Sequence, residues 1–281
     1  MHPALATLLG VIEGLTEYLP VSSTGHLVLT EHAFELALRN GGLLGPNPLK
    51  TEGAKSFDIV IQLGAILAVL VHYRALLGAR LLGLFRLEKQ SVALLTALVV
   101  GFLPTAVTGL LLRKIIKKFL FHPTPIAVAL VLGGVLMIVV ERARRARNVT
   151  GLTGLEHVTP RRAFLIGLGQ CVSMIPGSSR SMCTILAGQA SGLSTATAAE
   201  FSFLLGLPTL GAATLYEAYK SHDALFAEVG APSIVIGLSV SFFVAWAVVA
   251  LFIRYLQKRG LEPFGYYRIA LGAVVLVTLY A

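Results

Sequence analysis

The stretch IVIGLSVSFFVAWAVVALFI, Ile234–Ile253, runs for twenty residues without a charge. As a helix it is about 30 Å long, the thickness of a bilayer's hydrocarbon core. A second run, Ser91–Leu112, has twenty-two uncharged residues. A soluble helical core does not account for such runs, because they recur along the whole chain. Of 281 residues 56% are hydrophobic and 13% charged, where a soluble domain carries roughly 25% charge. With a mean hydropathy of +0.79, the surplus apolar surface needs membrane lipids to face.

Length and helix breakers give six expected spans: Phe57–Tyr73, Val92–Leu112, Pro125–Val140, Ala199–Tyr216, Ile234–Ile253 and Tyr267–Ala281. Two other apolar stretches do not fit as spans. Ala4–Leu38 is interrupted by PVSSTGH (Pro20–His26) and Ala163–Gly188 by PGSSRS (Pro176–Ser181). Each half is too short to cross, which fits a re-entrant hairpin. At a shift of 156 residues Pro20, Ser22 and Ser23 fall on Pro176, Ser178 and Ser179, and three spans follow each hairpin. Three is odd, so the second half must enter from the opposite side. The expected fold is an all-α integral membrane protein, a single membrane domain built as an inverted-topology repeat. Its halves are 1–145, with hairpin 4–38, and 146–281, with hairpin 163–188. Such repeats place a binding site where broken helices meet.

Charge orients the repeat. The net charge of +9 is concentrated in three segments: Arg142, Arg144, Arg145, Arg147, Arg161 and Arg162; four basic residues over Arg74–Lys89; and four over Arg254–Arg268. Basic loops face the cytoplasm, so 74–90, 141–162 and 254–266 are expected inside, and 31–56, 217–231 and both termini outside. Arg113, Lys114, Lys117 and Lys118 run against this and are read as an amphipathic turn at an anionic surface. No aromatic-rich stripe accompanies the basic residues, which excludes nucleic acid as a partner. Cys171 and Cys183 lie in apolar surroundings with no metal-site or disulfide spacing. The first apolar run has no basic segment before it and is interrupted by Glu13 and Glu17, so no secretory signal is expected there.

Glu13 and Glu17 sit four apart, on one helical face. Ionisable groups at membrane depth cost about 2.5–3.5 kcal/mol on insertion scales and mark function by default; the alternative is snorkelling to the headgroups. Two close carboxylates repel unless a cation or shared proton lies between them. A divalent cation, Mg²⁺ or Ca²⁺, bridging them to a phosphate meets that need. Hydroxyls such as Ser22, Ser23 and Thr24 at a helix start are ordinary caps, yet a helix N-terminus also binds anions. His26, three residues past Ser23, can share its face. Ser178, Ser179 and Ser181 repeat the caps and add Arg180, whose fork suits phosphate oxygens. Gln62 and Glu200, near span starts, either line the site or pair helices; Asp58 and Asp223 read as solvated ends.

At these residues the chain resembles the undecaprenyl-diphosphate phosphatases associated with bacitracin resistance. EGLTEYLPVSSTGH (Glu13–His26) is similar to the family's first signature and PGSSRSMCT (Pro176–Thr184) to its second, with further likeness in FDIVIQLG (Phe57–Gly64) and AEFSFLLGLP (Ala199–Pro208). Met182 and Cys183 stand where small residues are expected. The resemblance implies hydrolysis of undecaprenyl diphosphate to undecaprenyl phosphate and orthophosphate, recycling the carrier of cell-wall synthesis. It implies Glu13 and Glu17 as the metal-site pair, Ser23 as nucleophile with His26 as its acid/base, and Arg180 gripping the diphosphate with Ser179 and Thr184 beside it. It also implies an inner-membrane site open to the periplasm. A homodimer is the further partner left open. Direct attack by water oriented by Ser23 fits the residues equally well. A transporter or flippase for a polyprenyl phosphate is the rival reading, since inverted repeats with broken helices are transporter architecture. The acid phosphatases with a Pro-Ser-Gly-His loop are excluded, because no histidine follows Ser179-Arg180 within the required few residues.

Overall fold

The computed structural model describes residues 1–40, 48–120 and 122–280; side chains at 32, 35–40, 113, 114, 117, 118, 123 and 278–280 lie outside the description. The first broken stretch forms α1 (Pro3–Thr16) and α2 (Ser23–Asn40). After it come α3 (Glu52–Val60), α4 (Gln62–His72), α5 (Arg74–Phe85), α6 (Lys89–Phe119) and α7 (Pro123–Ala146). The second broken stretch forms α8 (Pro160–Val172) and α9 (Arg180–Ala190), followed by α10 (Thr195–Lys220), the short α11 (His222–Ala224), a π turn at Leu225–Val229, α12 (Ala231–Leu256) and α13 (Glu262–Tyr280). The protein is all-α, with no strand among the described residues. Among the described residues, five segments are long and apolar enough to cross a membrane: Glu52–His72, Lys89–Leu112, Thr124–Ala146, Thr195–Lys220 and Ala231–Leu256. The sixth expected span falls in α13, whose last residues are at the edge of the description. The breaks fall at the Pro-containing turns that the sequence marks, and α1, α8 and α9, with 14, 13 and 11 residues, are too short to cross; α2, with 18, runs past Leu38 to Asn40 and is longer than the expected half.

Small residues let the helices approach. A Cβ on Gly10 of α1 would lie 2.8 Å from the carbonyl oxygen of Gly237 in α12, and one on Gly167 of α8 only 2.4 Å from that of Gly101 in α6. Between α7 and α13, a Cβ on Gly134 would stand 2.6 Å from the Gly265 carbonyl oxygen. In a lipid-facing protein such close backbone contact is the main packing gain, since lipid and leucine are equally apolar. The pairing has a pattern. Helix α1 of the first half packs on α12 of the second, and α8 of the second on α6 of the first; α7 lies on α13 and α4 on α10. Helix α4 also packs extensively on α12, whereas the corresponding contact of α10 on α6 is slight.

Two parts of the chain depart from expectation. Segment 74–90, read as a loop, contains helix α5, with Leu81, Leu82 and Phe85 exposed, the make-up of a helix that lies along a membrane surface. Arg268, counted with the cytoplasmic basic cluster, is instead wholly buried within α13. The basic residues 113, 114, 117 and 118 belong to the helical backbone of α6, and their side chains are outside the described set.

Candidate active site

Both breaks end in the same turn. Ser22 has φ 72° and Ser179 φ 68°, left-handed values that non-glycine residues seldom adopt. The Ser22 hydroxyl oxygen accepts the N–H of Gly25 at 3.3 Å, and that of Ser179 the N–H of Met182 at 3.3 Å. Their carbonyl oxygens accept from His26 and Cys183 respectively. The structural equivalence is therefore Ser22 with Ser179, one residue off the overlay drawn from side-chain identity. It sets Ser23 and Arg180 at matching positions, each the first residue of its helix. Among the described residues, the N–H groups of Ser23, Thr24, Arg180 and Ser181 have no acceptor. Free N–H groups at a helix start attract anions.

The two turns meet. Ser181 donates its hydroxyl to the Leu19 carbonyl at 2.9 Å and hydrogen-bonds the Ser179 hydroxyl at 3.0 Å. Arg180 reaches across to Glu17, its Nε and Nη2 standing 3.4 and 3.3 Å from Oε1. Its Nη1 donates to the Ser202 carbonyl at 2.8 Å, and its guanidinium lies 5.5 Å from the centre of the Tyr18 ring. Gly206 leaves the space: a Cβ there would meet the guanidinium carbon at 3.2 Å. Thr184 donates to the Arg180 carbonyl at 2.8 Å and pairs with the Ser202 hydroxyl at 2.6 Å. Ser202 and Tyr18 were not singled out in the sequence. The signal available was their place in the two family-like segments, where an uncharged hydroxyl has no distinguishing mark.

On the other side of Glu17, Oε2 accepts the Ser23 hydroxyl at 3.3 Å. Both Glu17 oxygens are thus engaged, in a side chain only 6% exposed. Glu13 differs: it is fully buried and neither carboxylate oxygen has a hydrogen-bond partner among the described residues. The charged groups facing it are Glu17, Asp58 and Arg180. A buried carboxylate without donors demands a cation or a proton. Hard oxygens from two glutamates are also the donor set that Mg²⁺ or Ca²⁺ takes, so the residues fit the divalent ion that the sequence implied. Asp58, expected to be a solvated end, instead buries Oδ1 without a hydrogen-bond partner among the described residues, in the field of Glu13 and Glu31.

His26 does not hydrogen-bond Ser23. Its Nδ1 lies 2.8 Å from the Ser22 carbonyl oxygen and its Nε2 2.6 Å from the Tyr267 hydroxyl. A carbonyl can only accept, so Nδ1 carries the proton when the ring is neutral and Nε2 accepts from tyrosine. The expected serine–histidine couple is replaced by serine–glutamate, because the turn carries the imidazole toward α13. Of the remaining expected residues, Ser178 is buried and Thr24 half-buried, neither hydroxyl bonded among the described residues. Gln62 and Glu200 make no hydrogen bond to the site residues, and Glu200 faces Tyr73. Asp223 is exposed. Met182 and Cys183 pack into the main apolar core.

Fold and site together define an all-helical membrane protein whose two interrupted hairpins join an acidic pair, a serine and an arginine at two helix N-termini. The chain belongs to the family described as bacitracin resistance protein BacA, whose model matches residues 6–274. It is 55% identical to an undecaprenyl-diphosphatase of Sorangium cellulosum (strain So ce56) over 272 residues, 96% of this chain and 84% of the relative. It is 43% identical to one of Novosphingobium aromaticivorans, with 96% of each chain covered, and 42% identical to one of Campylobacter fetus, with 97% of each covered.

Proposed function

We propose that this protein hydrolyses undecaprenyl diphosphate, releasing orthophosphate, at the junction of the two turns. The observation that carries the reading is the reach of Arg180 from the second half to Glu17 of the first, beside Ser23 and four unengaged helix-start N–H groups. The activity for which the relatives are named agrees with it. A site that only transports a lipid phosphate needs the arginine and the N–H groups, but it has no use for a hydroxyl held on a carboxylate.

Arg180 and the N–H groups of Ser23, Thr24, Arg180 and Ser181 grip the terminal phosphate, most strongly as charge spreads over its equatorial oxygens. Ser23 attacks phosphorus and its proton passes to Glu17, a base already in hydrogen-bond reach. The bond to the bridging oxygen breaks and the polyprenyl monophosphate leaves. Water then attacks the phosphoserine, the P–Oγ bond breaks as the proton held by Glu17 returns to Ser23, and orthophosphate departs with the proton of the water. Glu13, with Glu17, would hold the divalent cation, which supplies charge neutralisation to the phosphate oxygens when bound. His26, tied to Tyr267, is placed to exchange a proton at Nε2. The polyprenyl tail lies in the surrounding lipid. Orthophosphate release from undecaprenyl diphosphate by purified protein in detergent, without any gradient, tests the reading; binding with no release would return the transporter.

Arg180→Lys should lower kcat by about a hundredfold while the protein stays folded. An ammonium cannot span Glu17, the Ser202 carbonyl and a phosphate at once. The comparison to make is kcat against the thermal midpoint in one detergent, and lysine at wild-type rate would reduce the arginine to a general field.

The repeat is proposed to be inverted, with the site opening outward from the inner membrane. The basic residues at 142–162 against the acidic ones at 217–228 support this. With Cys171 and Cys183 changed to Ala, a cysteine at Asn148 should react only with reagent supplied from the cytoplasm and one at Asp223 only from outside. Labelling of both from one side would defeat the inverted arrangement.

A further inference from the structure

Arg268 is the largest wholly buried side chain among the described residues and sits mid-helix in α13. It has no carboxylate partner there; its acceptors are carbonyls. Nη1 donates to the Pro20 carbonyl in the first turn at 3.2 Å, while Nη2 donates to the Gly177 carbonyl in the second turn at 2.9 Å and to the Ala129 carbonyl of α7 at 3.1 Å. Pro20 and Gly177 lie where the hairpin helices are interrupted, so no helical N–H is there to meet these oxygens. Gly133 of α7 makes the cradle: a Cβ there would stand 2.4 Å from Nη2 and 3.0 Å from the guanidinium carbon. The preceding residue, Tyr267, is the one that holds His26. Helix α13 thus grips both turns and the histidine with two consecutive side chains.

We propose that Arg268 is the positioning residue that fixes the two turns against each other and so sets the placement of Ser23 and Glu17 relative to Arg180. A planar fork with several divergent N–H groups can tie carbonyls from three segments into one geometry, whereas a lysine concentrates its donors on a single atom. A neutral, apolar replacement would leave turn carbonyls buried without donors, free to shift toward other partners. Misplacement of reacting groups by about 1 Å costs on the order of a hundredfold in rate. The effect acts through the turns, so it belongs to kcat and not to substrate affinity. This inference rests on the two turns being the site.

The test is steady-state orthophosphate release from undecaprenyl diphosphate by Arg268→Lys, Arg268→Met and Gly133→Ala, with thermal midpoints measured in the same detergent. Both Arg268 variants should lose about a hundredfold in kcat with KM within roughly threefold of wild type. Gly133→Ala keeps the guanidinium but pushes it off its carbonyls, and should lose about tenfold in kcat. A fully active Arg268→Lys, a rise in KM at unchanged kcat, or a fully active Gly133→Ala each overturns the proposal. Should the Arg268 variants not fold, the kcat of Gly133→Ala decides alone, since alanine favours the helix it joins. Arg180→Lys and Glu13→Gln are measured alongside. If those two remain active it is the assignment of the site that fails, whatever Arg268 does.

Discussion

Replacing Ser23 with alanine is expected to lower kcat by about three orders of magnitude or more, with substrate binding retained. Spacing along the helix cannot choose between Ser22 and Ser23, since both lie within one turn of His26. The geometry does. Ser22 is 3% exposed, in a left-handed conformation, and its hydroxyl oxygen is committed to the Gly25 N–H. Ser23 directs its hydroxyl to Glu17 and stands at the open start of α2. Ser22→Ala should therefore cost mainly stability, about 0.5–2 kcal/mol for a lost cap. Rapid-quench trapping with labelled substrate should place phosphate on Ser23. If Ser23→Ala turns over at a tenth of the wild-type rate, water is the attacking group and the serine only orients it.

The second large effect is expected from the cation. Chelation should abolish orthophosphate release, and Glu13→Gln should lower kcat by about 10²–10³, the several kcal/mol that charge neutralisation at phosphate oxygens supplies. Glutamine keeps the volume of a side chain that has no space to spare, so a folded protein is expected. Glu13 is a cleaner position to change than Glu17. Glu17 closes a buried ion pair with Arg180, and removing one partner of such a pair costs about 3–5 kcal/mol of stability by itself. Calorimetric titration of Mg²⁺ and Ca²⁺ provides a readout independent of turnover: wild type binds and Glu13→Gln does not. Undiminished activity of Glu13→Gln in excess chelator would remove the metal from the account.

Much of the candidate site was legible because its residues are costly where they stand. Glu13, Glu17 and Arg180 are charges inside apolar stretches, and in lipid that cost selects for use. The same logic misplaced Arg268. Its neighbours Arg254, Lys258 and Arg259 lie at a helix end, and linear proximity grouped a buried fork with a surface cluster. Ser202 and Tyr18 carry no charge and break no helix, so only their place in the two family-like segments marks them.

The sequence by itself determined the all-helical membrane class, the two interruptions and the residues on them. Apolar run length, proline and the cost of buried charge act locally, within a helix or a turn, and are written in consecutive residues. Only the tertiary structure decided which groups meet: Ser23 with Glu17 and not His26, His26 with Tyr267, and Ser22 equivalent to Ser179 and not Ser178. It also decided that Arg268 joins both turns. These partners are up to 248 residues apart and are brought together by close packing at Gly10, Gly134 and Gly167, where backbones touch. The direction of each side chain there depends on which helix lies opposite, and no local pattern records that.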